Sequence, residues 1–400
     1  MIEFSAKTRV PVKMWVPDYE LDAMAVEQVI NVANHPEVSD HVALMPDAHG
    51  GFGVPIGCVF PTEGVVIPNA VGVDIGCGMQ AVRTSIDFDP GMGQHFWDAW
   101  ASEVNERIPT GFEAHRTADP AREHHWLFEM SLRADALQDT MLRKGPAQLG
   151  TLGGGNHFLE AQVDEEDAIW LMVHSGSRGT GNQLARYYHT LAVAETEKRG
   201  VKVAKDLASL SFDEQAAHDY MHDMNWGMAF ARESRMWMIE QLVRALEAAI
   251  GIPVDRIDTF DCMHNYAEFD GPEDHGIVLH RKGATDAGAS SIGIIPGSMG
   301  STSYIVHGKG NLDSYASCSH GAGRKMGRNV AKKTFDVDLV NIELEDAATF
   351  TTITKGQLDE APGAYKDIAT VIGRQRDLID IVHTLRPLRT VKGDSRAKDD

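Results

Sequence analysis

Cysteine is scarce. The 400 residues hold four, Cys58, Cys77, Cys262 and Cys318, scattered without a disulfide-like spacing. In a reducing compartment such isolated cysteines are core filler or ligands. No apolar run is long enough to span a bilayer. Residues 1–16 alternate polar and apolar side chains and carry no signal-peptide core. A cytoplasmic protein with no membrane partner is expected. Positive charge is also short, with 37 Lys and Arg against 58 Asp and Glu and a net charge of -21. That balance argues against broad nucleic-acid binding by the whole surface, leaves room for a local basic groove, and suits a protein that holds divalent cations. The phosphate-binding lysine motif of P-loop enzymes is missing. So are internal repeats and any low-complexity linker that would cut the chain into independent domains. The length allows two domains or one large core.

What the sequence has instead is glycine placed beside histidine, cysteine and aspartate. In residues 316–324 (ASCSHGAGR), His320 sits among small side chains with Gly321, Gly323 and Arg324 just beyond. Small neighbours open the imidazole to a large ligand, and glycines let backbone N–H groups approach phosphate oxygens. Arginine can fork onto phosphate. His320 is therefore a candidate nucleophile toward a nucleotide phosphate; the plain alternative is a glycine turn with a surface histidine. Asp47 and His49 lie in a Gly- and Pro-rich loop that is as readily a geometric turn as a site. Asp74 and Cys77 flank a glycine turn and can converge on one point. A carboxylate and a thiolate make a partial ligand set for Mn, Fe, Co or Zn, although in isolation the pair reads first as a turn aspartate beside a core cysteine. His157, His174 and His264 each stand at a strand end, and paired histidines on neighbouring strands are a common metal arrangement. Ser175, Ser177 and Arg178 follow the second of them in a phosphate-friendly loop.

Periodicity predicts helices over 21–35, 90–108, 119–143, 182–198, 212–250 and 365–385, with Trp97, Trp100, Trp126, Met224, Met228, Met236 and Met238 as packing residues. Strands are expected over 41–45, 54–60, 65–73, 168–173, 258–262, 276–283, 292–295 and 304–306. A strand should also leave the glycine turn at 150–155, with Asn156 and Phe158 on one face and His157 and Leu159 on the other. A basic helix carrying Arg324, Lys325, Arg328, Lys332 and Lys333 is either a nucleic-acid contact or a solvated face. Residues 394–400 read as a charged, disordered tail.

Five ligand-type residues at turn and strand ends favour a metal site. With His320 in a phosphate-binding setting, the residues point to phosphoryl or nucleotidyl transfer through a histidine–nucleotide intermediate.

The chain resembles the RtcB family of RNA-splicing ligases from about Val10 to Gly393. The resemblance rests on residues 71–79 (VGVDIGCGM), 150–158 (GTLGGGNHF), 174–179 (HSGSRG), 264–266 (HNY), 281–284 (RKGA), 295–300 (IPGSMG) and 318–324 (CSHGAGR). It implies one α+β ligase domain over 1–393, with sheets around a central metal and nucleotide cleft and helices at the periphery. It implies GTP- and Mn²⁺-dependent joining of an RNA 3′-phosphate or 2′,3′-cyclic phosphate to a 5′-hydroxyl, in tRNA splicing or RNA repair. It implies that His320 becomes guanylylated. Two manganese ions fall to Asp74, Cys77, His157, His174 and His264, with Cys77 bridging. Guanylate contacts fall to Asn156, Phe158, Leu159, Glu160, His264, Asn265, Pro296, Gly297, Ser298, Met299, Ser303, His320, Gly321, Ala322, Gly323 and Lys392. RNA is the partner, and an activating protein of the archease type is a further one. The alternatives are a metal-dependent RNA-end phosphoesterase and a non-catalytic RNA-end-binding paralogue.

Overall fold

The structure, a computed structural model, describes residues 1–271 and 276–393; the expected tail at 394–400 lies outside the described residues. Helices and sheets are mixed along the chain, as the α+β expectation has it. One sheet has six strands, in the order Ile2–Glu3, Val12–Met14, Val42–His49, Ile56–Glu63, Ile277–Lys282 and Asn265–Phe269. The other has seven, in the order Arg256–Met263, Gly78–Asp87, Ala168–Ser175, Phe158–Val163, Ile379–Val391, Ser303–Gly308 and Ile292–Ile295.

The seven-stranded sheet is antiparallel, and its register positions the site. Cys262 pairs with Met79, Met79 with His174, and His174 with Phe158, so one row crosses four strands. Cys77 immediately precedes one of these strands, His157 precedes another, and His264 follows a third. Three ligand-type residues far apart in sequence therefore meet His174 at one end of the sheet.

Behind the sheet lies the long helix Gln215–Ile250, capped by left-handed Gly251. Its Met238, Leu242 and Leu246 pack with Leu171 and Val173 of the sheet and with Trp97, Trp100 and Val104 of helix Gln94–Arg107. Each such side chain contributes roughly 1.5–3 kcal/mol on burial. The layer fixes the strands and, with them, the strand ends.

Several expected elements differ. The strand expected over 65–73 is Val65–Val66 followed by a helical turn, Pro68–Val71, because Pro68 takes the first helical position, where its missing N–H is harmless. The helix expected over 119–143 is broken into Pro120–Glu123, a 3₁₀ turn Trp126–Phe128 and helix Asp135–Gln148. Between the last two, the buried Asp223 carboxylate accepts the backbone N–H groups of Arg133 and Ala134 at 2.8 and 2.9 Å, which holds the chain out of a helix. Trp126 and Met236 are exposed, unlike the other expected packing residues. The helix expected over 365–385 is only Ile368–Gly373, and strand Ile379–Val391 follows. That strand pairs with Phe158–Val163 on one side and Ser303–Gly308 on the other, and this pairing overrides the helical spacing. The basic helix is shorter than expected, Arg328–Thr334; Arg324 and Lys325 precede it, with Arg324 bridged to Tyr365.

Candidate metal and nucleotide site

At the sheet end, His174 Nε2 lies 3.3 Å from Cys77 Sγ and 3.4 Å from His264 Nε2. Cys77 Sγ is 3.4 Å from His157 Nε2, which is 2.9 Å from Asp74 Oδ2. Two overlapping donor triads result, Asp74–Cys77–His157 and Cys77–His174–His264, with all ligand atoms of each within 4.8 Å of one another. Cys77 belongs to both. Two ligands about 2.1–2.3 Å from one ion are roughly 3.1–3.6 Å apart at octahedral to tetrahedral angles, so these separations suit coordination. The chemistry of the donors agrees. His174 Nδ1 contacts the carbonyl oxygen of Asn156 at 3.2 Å, which places its proton there and leaves a lone pair on Nε2. Three buried imidazole nitrogens, a thiol sulfur and a carboxylate oxygen converge there, a set whose complement is a cation. The residues fit a metal centre.

Local backbone holds the ligands. Gly76 has φ +70°, and a Cβ there would lie 2.7 Å from Met228 Cα, so the Asp74–Cys77 turn requires glycine. A Cβ at Gly176 would meet Asp74 Oδ1 at 2.0 Å. Burial raises the Cys77 thiol well above its ordinary value, and the Asp74 carboxylate adds to this. Burial also lowers His174 and His264 far below the usual imidazole range, reinforced by neighbouring histidines. Both imidazoles are thus neutral, the form that ligates.

The His320 ring lies 4.8 Å from the His264 ring. It follows strand Ser317–Ser319, which pairs with Ala284–Asp286. Asp47, fully buried, reaches it from strand Val42–His49: one carboxylate oxygen accepts the His320 backbone N–H at 3.2 Å and lies 2.7 Å from Nδ1. Nε2 remains for a ligand. Gly323 (φ +73°) lets the chain pass Asp47, since a Cβ there would stand 2.2 Å from the Asp47 carbonyl oxygen.

From His320 opens a cleft of about 510 Å³. Asn156, Phe158, Glu160 and Lys392 line it, as do residues 296–299 and 320–324. Glu160 is buried and accepts from Gln162 and Thr390; burial pushes its carboxyl up to about 7, against those hydrogen bonds and the charge of Lys392. Lys392 Nζ stands over the Phe158 ring and 2.9 Å from Glu360 Oε2.

A scan against family profiles matches residues 28–393 to tRNA-splicing ligase RtcB. The chain belongs to the RtcB family. It is 38% identical to the RNA-splicing ligase RtcB of Escherichia coli (strain K12), covering 96% of this chain and 97% of that one. It is 28% identical to the tRNA-splicing ligase RtcB of Thermococcus kodakarensis, covering 98% and 96%. An RNA-splicing ligase RtcB homolog of Entamoeba histolytica is 31% identical over 92% of this chain and 83% of its own.

Against the RtcB resemblance, the five proposed metal ligands come together in one cluster. Most of the proposed guanylate residues line the cleft; four lie elsewhere. Leu159 is in the core among Val173 and Leu242. His264 is in the donor cluster. The Asn265 side chain donates to the Asp74 carbonyl and accepts from Gly283 N–H, bracing the Asp74–Cys77 turn. Ser303 Oγ accepts from Gln162 and Gly297 N–H behind the wall.

Arg324, expected as a phosphate fork, is engaged within the protein. Its guanidinium donates to Glu360 at 3.2 Å and to the Asp359 carbonyl at 2.7 Å. Arg328 pairs with the carboxylates of Asp359 and Glu360 at 3.0 and 2.9 Å. Burial opposes ionisation of Glu360, yet the charges of Lys392, Arg328 and Arg324 outweigh it and hold the carboxyl down to about 2. Arg178 begins helix Arg178–Arg199, four residues before the expected start. It donates to Thr151 Oγ1 at 3.0 Å and the Gly111 carbonyl at 2.7 Å, bracing the glycine turn.

Arg235 and Glu360 carry no expectation from the sequence, and Asp47 carries only that of a loop as readily a turn as a site, with no link to His320. Arg235, fully buried within the long helix, donates to the carbonyls of Gly76 and Ser175 at 2.9 and 3.0 Å, holding two ligand-bearing turns, while Asp261 balances its charge. A charged residue inside an apolar helical stripe was the available signal. Glu360 has no sequence signal, because its partners come from two distant segments, Arg324 and Arg328 in one and Lys392 in the other.

Proposed function

We propose that this protein is a GTP- and Mn²⁺-dependent RNA ligase that joins an RNA 3′-phosphate or 2′,3′-cyclic phosphate to a 5′-hydroxyl through a guanylate carried on His320. The observation that supports it most is His320 itself: an imidazole fixed by buried Asp47, beside the donor cluster, at the mouth of a nucleotide-sized cleft. Asp74, Cys77, His157, His174 and His264 would hold the manganese, which supplies Lewis-acid stabilisation of phosphate charge when bound.

His320 Nε2 attacks the α-phosphorus of GTP; the Nε2–P bond forms, the bond to the β-phosphate bridge breaks, and pyrophosphate leaves. Positive charge then develops on the imidazole, and Asp47 beside Nδ1 balances it. Glu160, at the buried end of the cleft, accepts from the N1–H and amino group of guanine, a pairing that adenine does not offer. Phe158 packs against the nucleotide, and Asn156 and residues 296–299 surround its phosphate. The guanylate passes to the RNA 3′-phosphate, the 5′-hydroxyl attacks that activated end, and GMP leaves.

The test is incubation with labelled GTP and Mn²⁺ followed by intact mass. The native protein should gain one guanylate, lost in acid and stable in alkali, as expected of a P–N bond. His320→Ala should bind Mn²⁺ yet gain none and seal no RNA. An acid-stable, alkali-labile adduct, or a guanylate mapped to Lys392, refutes the assignment. Opening of cyclic phosphate with no guanylate would favour a phosphoesterase.

A further inference from the structure

The guanylate reading leaves part of the cleft lining unused: Asp22, Met24, His49, Gly50 and Ile56. Both Asp22 oxygens are occupied, one by Ala25 N–H and the other by Gly50 N–H, each at 2.8 Å. That leaves His49 as the one ionisable side chain of the group with an uncommitted atom. Its Nδ1 lies 2.9 Å from the carbonyl oxygen of Asp47. A carbonyl only accepts, so Nδ1 carries the proton and Nε2 carries the lone pair. Among the described residues no hydrogen bond engages Nε2, and the ring lines the cleft that contains His320.

We propose, building on the ligase reading, that His49 Nε2 accepts the proton of the RNA 5′-hydroxyl in the sealing step. An acceptor-only nitrogen is mismatched to phosphate oxygens and matched to a hydroxyl. The mounting is rigid: Lys366 Nζ donates to the Ala48 carbonyl at 2.6 Å, and Asp47 fixes His49 through its carbonyl and His320 through its carboxylate. The two imidazoles that the first and last steps require are thus anchored by one residue. The charged and titratable groups facing His49 are His320, Asp47, Lys366 and Asp22. Burial lowers His49 to about 4, partly opposed by the Asp47 carbonyl, so the ring is neutral near pH 7 and free to accept. In the step, the 5′-oxygen bonds to the 3′-phosphorus and its proton moves to Nε2. The bond from that phosphorus to the oxygen it shares with the guanylate breaks, and GMP leaves. The imidazolium then returns its proton to water.

His49→Asn tests this, because asparagine can keep an N–H near the Asp47 carbonyl and has no atom at the Nε2 position. The variant should form the covalent guanylate and transfer it to 3′-phosphate RNA. It should then accumulate the RNA–guanylate intermediate and seal about 10²-fold or more slowly, the usual size of a lost general base. His49→Gln should behave alike, which guards against a folding defect peculiar to one substitution; native Mn²⁺ affinity reports the intact cluster. Sealing at the native rate in either folded variant, or loss of guanylate formation with Mn²⁺ affinity intact, overturns the assignment. A native protein that takes no label from GTP overturns the ligase reading and this assignment with it.

Discussion

Glu160 is a carboxylate whose folded environment holds a proton. Burial brings it to about 7, so below that pH the protein carries it largely as the acid. Protonation favours the folded state here, and that contribution is lost as pH rises through about 7. The guanine contact proposed for Glu160 needs the opposite form, because the acid presents a donor where that contact requires two acceptors. The apparent GTP affinity should therefore fall as pH drops below about 7, approaching tenfold per unit. Glu160→Gln should weaken GTP binding and remove this dependence. Calorimetric titration with GTP from pH 5.5 to 8.5 checks both; a flat native profile contradicts the assignment. At this scale the sequence was informative where chemistry is declared by residue type. Histidine, cysteine and aspartate beside glycine stood out at Asp74, Cys77, His157, His174, His264 and His320. It was silent where a role depends on distant partners: Thr390, 230 positions along the chain, donates to Glu160. Arg235 is the intermediate case, visible as an oddity in an apolar stripe but without a stated purpose until its carbonyl partners are known.

Among elements, the turn after His320 is sharply constrained. Its Gly323 passes so near the Asp47 carbonyl that an added Cβ has no flexible side chain to displace. Gly323→Ala should destabilise the protein by about 2 kcal/mol through strain at positive φ and backbone clash, read as a lower denaturant midpoint. It should also move Asp47 off His320, so guanylate formation should fall further than stability alone accounts for. The basic helix Arg328–Thr334 carries a second expectation. Arg328 and Lys332 lie against Asp359, at 3.0 and 3.9 Å, while Lys333 is exposed. Charge reversal at Lys333 should weaken RNA binding and flatten its salt dependence, with self-guanylylation unchanged; an unaltered salt slope marks the helix as a solvated face. Elements whose burial pattern is local, such as helix Gln94–Arg107 and strand Ala168–Ser175, were legible within a few residues. Strand Ile379–Val391 was not, because its apolar residues fit a helix equally well and only partners from residues 158–163 and 303–308 decide.

For the whole molecule, the donor cluster joins the ends of several strands to the Asp74 turn, so occupancy should lock them together. Metal that binds only the folded chain adds about 2.7 kcal/mol at a free concentration of 100 Kd. Mn²⁺ should accordingly raise the melting temperature, and a chelator should reverse the shift. Cys77→Ser, which removes the donor common to both triads, should largely abolish the shift and guanylate formation, whereas Cys58→Ala and Cys318→Ala should keep it. Differential scanning calorimetry with and without Mn²⁺ decides; full metal content and activity in Cys77→Ser would return Cys77 to the core. Among the described residues, no helix is long and apolar enough to cross a membrane.

The seven-stranded sheet has a further consequence for how this chain is made. Strand Ile379–Val391 lies between Phe158–Val163 and Ser303–Gly308, yet the ribosome delivers it after every other strand of that sheet. Until it emerges, the ladder is interrupted between Phe158–Val163 and Ser303–Gly308, each left with an open edge, and Glu160 lacks Thr390. Folding on the ribosome can thus build the end that carries the donor cluster, whose strands all precede residue 264, but cannot close the cleft beside His320. A chain cut short before residue 379 would be left with two unpaired strand edges, the kind of surface that recruits other chains. Such truncated products should accumulate as aggregates rather than as soluble, metal-loaded fragments.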